Sequence, residues 1–246
     1  MWLVICEPTD MAALWAYDGL RRRGIAPLEI ISTEVLVCSR RCEHRIGTGG
    51  ASIAFDMPNG RRWSGGDLHG VLNRAFTVPL SIWHQAPAAD SLYVQQEMYA
   101  FFLSWLQCLP CPVFNTPSPL GLAGRWRMES EWVCLAAQAG LRVPVFRQTS
   151  TDSLDESRGE RRLRPPGVIP RSVIVACDVA CATGVPSEVG EGCVRLAKLS
   201  GTALLGVDFI QSDAGLWTFA GATPAPDLRA GGEPLLAALA RGLGGG

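Results

Sequence analysis

The chain has 246 residues, enough to bury a sizeable core as one large domain or two small ones. Apolar residues make up 48% and charged residues 18%, the balance of a soluble globular protein. A formal net charge of −1 excludes a bulk electrostatic pull toward nucleic acid or an anionic membrane surface.

The first residues, MWLVICEPTD, have neither the basic start nor the apolar core of a signal peptide. No run reaches the roughly 18 apolar residues of a membrane span. Nine scattered cysteines then read as reduced, mostly buried thiols of a cytoplasmic protein. Lys198 is the only lysine, so nearly all cationic chemistry falls to arginine.

Residues 3–6 form a short apolar strand. Asp10 then offers an N-cap for a helix running to Arg23, with Gly24 as its stop. The turn between them lacks GxGxxG, so a dinucleotide cradle is not indicated. Residues 28–32 give a second strand. Residues 45–57 and 61–63 flank Pro58-Asn59-Gly60, a turn signal. Residues 70–76 read as a third core strand.

Residues 91–108 are the clearest helix, with Val94, Met98, Phe101, Phe102 and Trp105 at helical spacing. A strand at 112–114 leads to Asn115. A helix over about 128–139 places Glu129 and Glu131 in its first turn, where they suit the helix dipole. Residues 141–147 are extended. Residues 149–171 are polar, charged and Pro-rich and read as a loop or mobile linker. Strands resume at 172–177 and near 180–183, and a helix at about 187–200 contains Gly190 and Gly192. Strands at 204–210 and 216–220 flank Ser212-Asp213-Ala214-Gly215 and read as a hairpin. A Pro-interrupted exit and a short helix end the chain.

Two sets of residues carry candidate chemistry. Asn73 and Arg74 follow a core strand, where ligands of α/β sheets gather. With Asn115, and with Arg125 and Arg127 in a Gly-flanked basic loop before a helix, they outline an anion crevice. Structural salt bridges are the competing reading for these arginines. Cys38, Cys42, Cys108 and Cys111 together could supply soft ligands for zinc, and Cys108-Leu-Pro-Cys111 alone a redox pair. Against this, Cys108 ends an apolar helix and Cys111 begins a core strand. His44, His69 and His84 make no catalytic spacing with a Ser or Cys nucleophile motif. Trp83 and Trp126 stand in loops where a partner could meet them.

The order LNR, a long helix containing Glu97, VFNTP, AGLRVP and then GVD followed by a hairpin partner resembles the ATP-grasp superfamily, in its RimK-like and microviridin-type peptide ligase branch. The resemblance covers roughly residues 70–150 and 172–240. It implies an α/β fold of truncated ATP-grasp type. Residues 1–115 would form an N-terminal open-sheet domain, and residues 116–246 a small α+β part with a flexible 149–171 loop.

In that family an Asp, a Glu and an Asn hold the magnesium ions bound to ATP. Asp208 stands in the first place. Gly221 and Thr223, aligned through Pro224 and Pro226, stand in the second and third. The central subdomain that sandwiches adenine and supplies phosphate-binding lysines looks reduced to a remnant.

Three functions are then weighed. The first is a degenerate ATP-grasp protein, a pseudoenzyme or accessory subunit in a peptide-modification or ligase pathway. It would need no cofactor, and a peptide or protein partner is expected; self-association is left open. The second is an active, divergent ATP-dependent carboxylate–amine ligase. It would use magnesium at Asp208 and Asp213, and arginines in place of lysines. The third is a zinc or thiol module built on the four cysteines. Asp213 and Asp227 also suit turn and cap roles.

Overall fold

The computed structural model describes residues 1–79, 87–147, 163 and 167–245. Contacts group Met1–Arg125 with Leu239–Gly246 as one unit, and Trp126–Ala238 as another. The division therefore falls after Arg125 rather than after residue 115, and the chain's end joins the first unit. One tie for that end is the indole N–H of Trp2, which donates to the Leu243 carbonyl at 3.0 Å.

In the first unit, β1 (Trp2–Cys6), β2 (Leu28–Ser32), β6 (Gly70–Arg74) and β7 (Val113–Phe114) form a parallel sheet in the order β2-β1-β6-β7. Leu3, Val4, Ile5, Val71 and Leu72 are fully buried. Continuous apolar runs of this kind belong to strands covered on both faces. α1 (Met11–Arg22) begins where the Asp10 carboxylate accepts the Ala13 N–H at 3.0 Å, the expected cap.

The sequence expectation of one extended stretch over 45–57 is corrected. β3 (Arg41–Gly47) and β4 (Gly50–Asp56) are an antiparallel hairpin turning at Thr48-Gly49, and β5 (Arg62–Ser64) completes a three-stranded sheet. The Gly-Thr-Gly-Gly run supplies a tight turn inside what hydrophobicity alone reads as one strand. A short helix, α2 (Thr33–Val37), capped by Ser32, was not expected either.

α3 (Ala88–Gln107) lays Phe102 and Trp105 against this second sheet. Phe55 stacks on Trp63 at 4.6 Å and meets Trp105 edge-on at 5.4 Å between ring centroids. Each such buried ring contributes roughly 1.5–3 kcal/mol by leaving water. Glu97 lies exposed beside Gln96, on the polar side of the helix.

The second unit is an antiparallel sheet in the order β11-β10-β8-β9, built from β8 (Arg171–Ala176), β9 (Val179–Cys181), β10 (Leu204–Gln211) and β11 (Trp217–Thr223). α4 (Glu129–Gln138) and α5 (Ser187–Ser200) pack with it around Trp132, Val173, Val175, Leu196, Leu205, Val207, Phe209 and Phe219. Gly192 in α5 has a packing reason. A Cβ there would meet Leu141 Cδ2 at 2.4 Å, so the helix approaches the 141–147 segment only with glycine. That segment also offers the Arg142 carbonyl to the Phe219 N–H at 2.8 Å.

α6 (Gly232–Gly242) is the final helix. The expectation of a polar loop over 149–171 falls largely outside the described residues, as do Trp83 and His84. Among the described residues no helix is long and apolar enough to cross a membrane.

Candidate functional site

β10 runs between β8 and β11, so Asp208 has a neighbour on each side. On β8 it is Ser172, whose hydroxyl donates to Asp208 Oδ1 at 2.5 Å. On β11 it is Gly221. The pairing slips there: Asp208 opposes Gly221 while Phe209 opposes Phe219, leaving Ala220 as the extra residue of a β-bulge. Gly221 has φ +147°, a conformation L side chains rarely adopt, although a Cβ would meet nothing within 4 Å. Thr223 opposes Gly206, and its hydroxyl accepts the Ala225 N–H at 3.1 Å in a local turn.

A cleft of about 490 Å³ opens at this point. Asp208 and the stretch from Ala220 to Pro224 form one side; Trp126, Arg127, Glu129, Trp132 and Leu163 also line it. Arg127 lies over the Trp132 ring, 5.4 Å from its centroid, and donates to the Ser200 carbonyl at 2.8 Å. Glu129 opens α4 and is exposed, and Trp126 is 62% exposed.

Of the five residues outlined as an anion crevice, Asn73, Arg74, Asn115 and Arg125 belong to the first unit and Arg127 to the second. Asn73 is buried and donates to the carbonyls of Asn115 at 3.1 Å and Leu122 at 2.7 Å, while its oxygen accepts the Ala75 N–H. Asn73 and Asn115 are thus brought together, inside the first unit. Arg74, 5% exposed, forks onto Asp10 at 2.6 and 3.2 Å. The beginning of α1 therefore holds its anion internally. Arg125 is exposed at the last residue of the first unit, and Arg127 lines the cleft of the second. Sequence reasoning paired Asp208 with Asp213 and missed Glu129 and Trp132 as its cleft companions. The Trp-Arg-Met-Glu run before an apolar helix was the available signal.

Among the described residues no group of three His, Cys, Asp or Glu side chains could hold a metal, so the zinc set is not assembled. Cys42 opposes Phe55 in the β3–β4 hairpin, Cys108 caps α3, and Cys111 precedes β7. Burial pushes the thiols of Cys6 and Cys193 up to about 11 and about 12, which keeps them protonated and inert. Asp227 caps the following turn by accepting the Arg229 N–H at 3.1 Å. Lys198 pairs with Asp178 at 3.2 Å, both side chains exposed.

Solved structures match this architecture along the whole chain. The macrocyclase MdnB from Microcystis aeruginosa MRC has a TM-score of 0.71 at 14% identity, covering 100% of this chain and 99% of that one. The ATP-grasp ligase PsnB, complexed with a phosphomimetic variant of a minimal precursor, magnesium and ADP, has a TM-score of 0.72 at 19% identity, covering 98% of each chain.

The chain has the ATP-grasp fold.

The macrocyclase MdnC from Microcystis aeruginosa MRC, bound with its precursor peptide MdnA, shares the fold at a TM-score of 0.74 and 10% identity, covering 100% of this chain and 99% of that one. No family model and no curated protein sequence matches the chain. The likeness is one of ATP-grasp architecture, carried by backbone and not by residue identity.

Proposed function

We propose that this protein keeps the ATP-grasp frame to hold a peptide and does not run magnesium–ATP chemistry, acting as an accessory binding protein in a peptide-modification pathway. The observation that carries this reading is Gly221. In the resemblance drawn from the sequence, that place belongs to a glutamate ligand. Here it has no side chain, and its φ of +147° would strain any side chain put there.

The residues around it do not fit the magnesium–nucleotide group. Magnesium takes hard oxygen ligands in near-octahedral geometry, from carboxylates and nucleotide phosphates. Asp208 is tied to Ser172, and the Thr223 hydroxyl serves a turn. The only lysine, Lys198, pairs with Asp178 and does not line the cleft.

What supports a peptide as occupant is the cleft itself, with the exposed indole of Trp126 just before α4, the exposed Glu129 at the start of α4 and Asp208 on β10. Structures of two proteins sharing the fold, MdnC and PsnB, contain precursor peptides. The same reading places the protein in the cytoplasm, where its nine free cysteines stay reduced.

The test is turnover. With magnesium–ATP and a panel of peptides bearing acidic, hydroxyl and amine side chains, ADP release stays at the protein-free background. ADP release that disappears in Asp208→Ala would establish the active-ligase alternative instead.

A further inference from the structure

The cleft beside Asp208 is chemically mixed in a way that selects its ligand. Trp126 leaves 62% of its surface in solvent while lining the cleft, so its indole is accessible to a ligand there. Two carboxylates, Glu129 and Asp208, line the same space against one guanidinium, Arg127. That guanidinium already lies over the Trp132 ring at 5.4 Å, so the cleft wall accommodates this pairing from within the chain. Gly221 leaves open the space across from Asp208 that a side chain would fill.

We propose that this cleft takes the guanidinium of an arginine side chain carried on a peptide, with the plane against Trp126 and the N–H fork on the Glu129 carboxylate. A planar, weakly hydrated cation gains from both an indole face and a bidentate carboxylate. The compact, strongly hydrated ammonium of lysine gains less from each. The inference rests on the reading of this cleft as a peptide site.

Calorimetric titration of the full chain tests it, with acetyl-Gly-Gly-Arg-Gly-Gly-amide and the same peptide carrying citrulline or lysine. Citrulline keeps the shape of arginine and removes the charge. Saturable binding is expected for the arginine peptide, about tenfold weaker binding for citrulline, and an intermediate loss for lysine. Glu129→Gln and Trp126→Ala each weaken the arginine peptide about tenfold while circular dichroism and the unfolding midpoint stay as in the parent chain.

Equal binding of the citrulline peptide, equal binding of the lysine peptide, no saturation by the arginine peptide up to millimolar concentration, or unchanged binding in both variants would overturn the proposal. If the arginine peptide fails and magnesium–ATP also does not bind, only this inference falls. If magnesium–ATP binds through Asp208, the parent reading falls, whatever the peptide does.

Discussion

Asp208 on β10 faces Gly221 on β11 at the point where the pairing of the two strands slips by one residue. The slip makes Ala220 a bulge and puts Gly221 at φ +147°. This place therefore offers no side chain, and a backbone conformation that L side chains rarely adopt. Adding a carboxylate side chain alone should not create a metal site. Gly221→Glu is expected to cost about 1–3 kcal/mol in urea unfolding, from backbone strain. Isothermal titration with magnesium chloride should show no gain of affinity. A stable variant with new micromolar magnesium affinity would mean that the backbone is not the obstacle.

Ser172 and Asp208 give a second prediction. Their 2.5 Å hydrogen bond links β8 to β10 beside the cleft. Ser172→Ala removes the donor, and a hydrogen bond to a carboxylate contributes about 1.5–3 kcal/mol. Ser172→Ala should therefore lower the unfolding free energy by about 2 kcal/mol, read from urea midpoints at constant m-value. Loss of far less than this would mean that Asp208 is held in place by its other contacts.

The Arg74–Asp10 pair is the most deeply placed ion pair described, with side chains only 6% and 10% exposed. Removing one partner of such a pair strands the other charge. Arg74→Met should destabilise the protein by about 3 kcal/mol. Asp10→Ala should cost about 1 kcal/mol more, because Asp10 also caps α1. Near-neutral effects would return Arg74 to the role of ligand group that its strand-end position suggested.

His44 supplies a pH dependence. It lines a pocket of about 300 Å³ with Ser52, Ser64 and Cys108, edge-on to Phe101. Its Nε2 is buried and makes no hydrogen bond among the described residues. Burial lowers its pKa from the ordinary 6.5. The folded state then binds the proton less well than the unfolded state. The stability associated with neutral His44 is complete above pH 6.5 and falls as pH drops from there through the lowered value. His44→Gln should lack this part of the acid-side loss, measured as the difference between the two unfolding curves from pH 7.5 to 5 (roughly the histidine titration range). Parallel curves would show that His44 titrates alike in both states.

Much of the fold was legible because local signals agreed with packing. The α1 cap at Asp10, the helix of Phe102 and Trp105, and the β10–β11 hairpin each combine a turn or cap residue with the right apolar period. The β3–β4 hairpin was not legible, because its glycine turn sits inside a continuous half-apolar run. The return of 239–246 to the first unit was hidden as well. It depends on contacts such as Trp2 with Leu243, separated by nearly the whole chain. For the cleft, the residue types at Asp208, Gly221 and Thr223 could be read directly. The bulge and the positive φ could not, since nothing in GVDFIQ or FAGATP announces a slip of register. Arg74 at a strand end suggested an anion contact, and the anion it meets is the Asp10 carboxylate, which sequence alone could not place.

The most direct measurement is a calorimetric titration with magnesium–ATP, run on the parent chain and on Asp208→Ala. No saturable binding up to millimolar nucleotide is expected in either, with both chains equally well folded by circular dichroism. Micromolar binding in the parent chain that is lost in Asp208→Ala would contradict the loss of nucleotide chemistry and make this a working ligase.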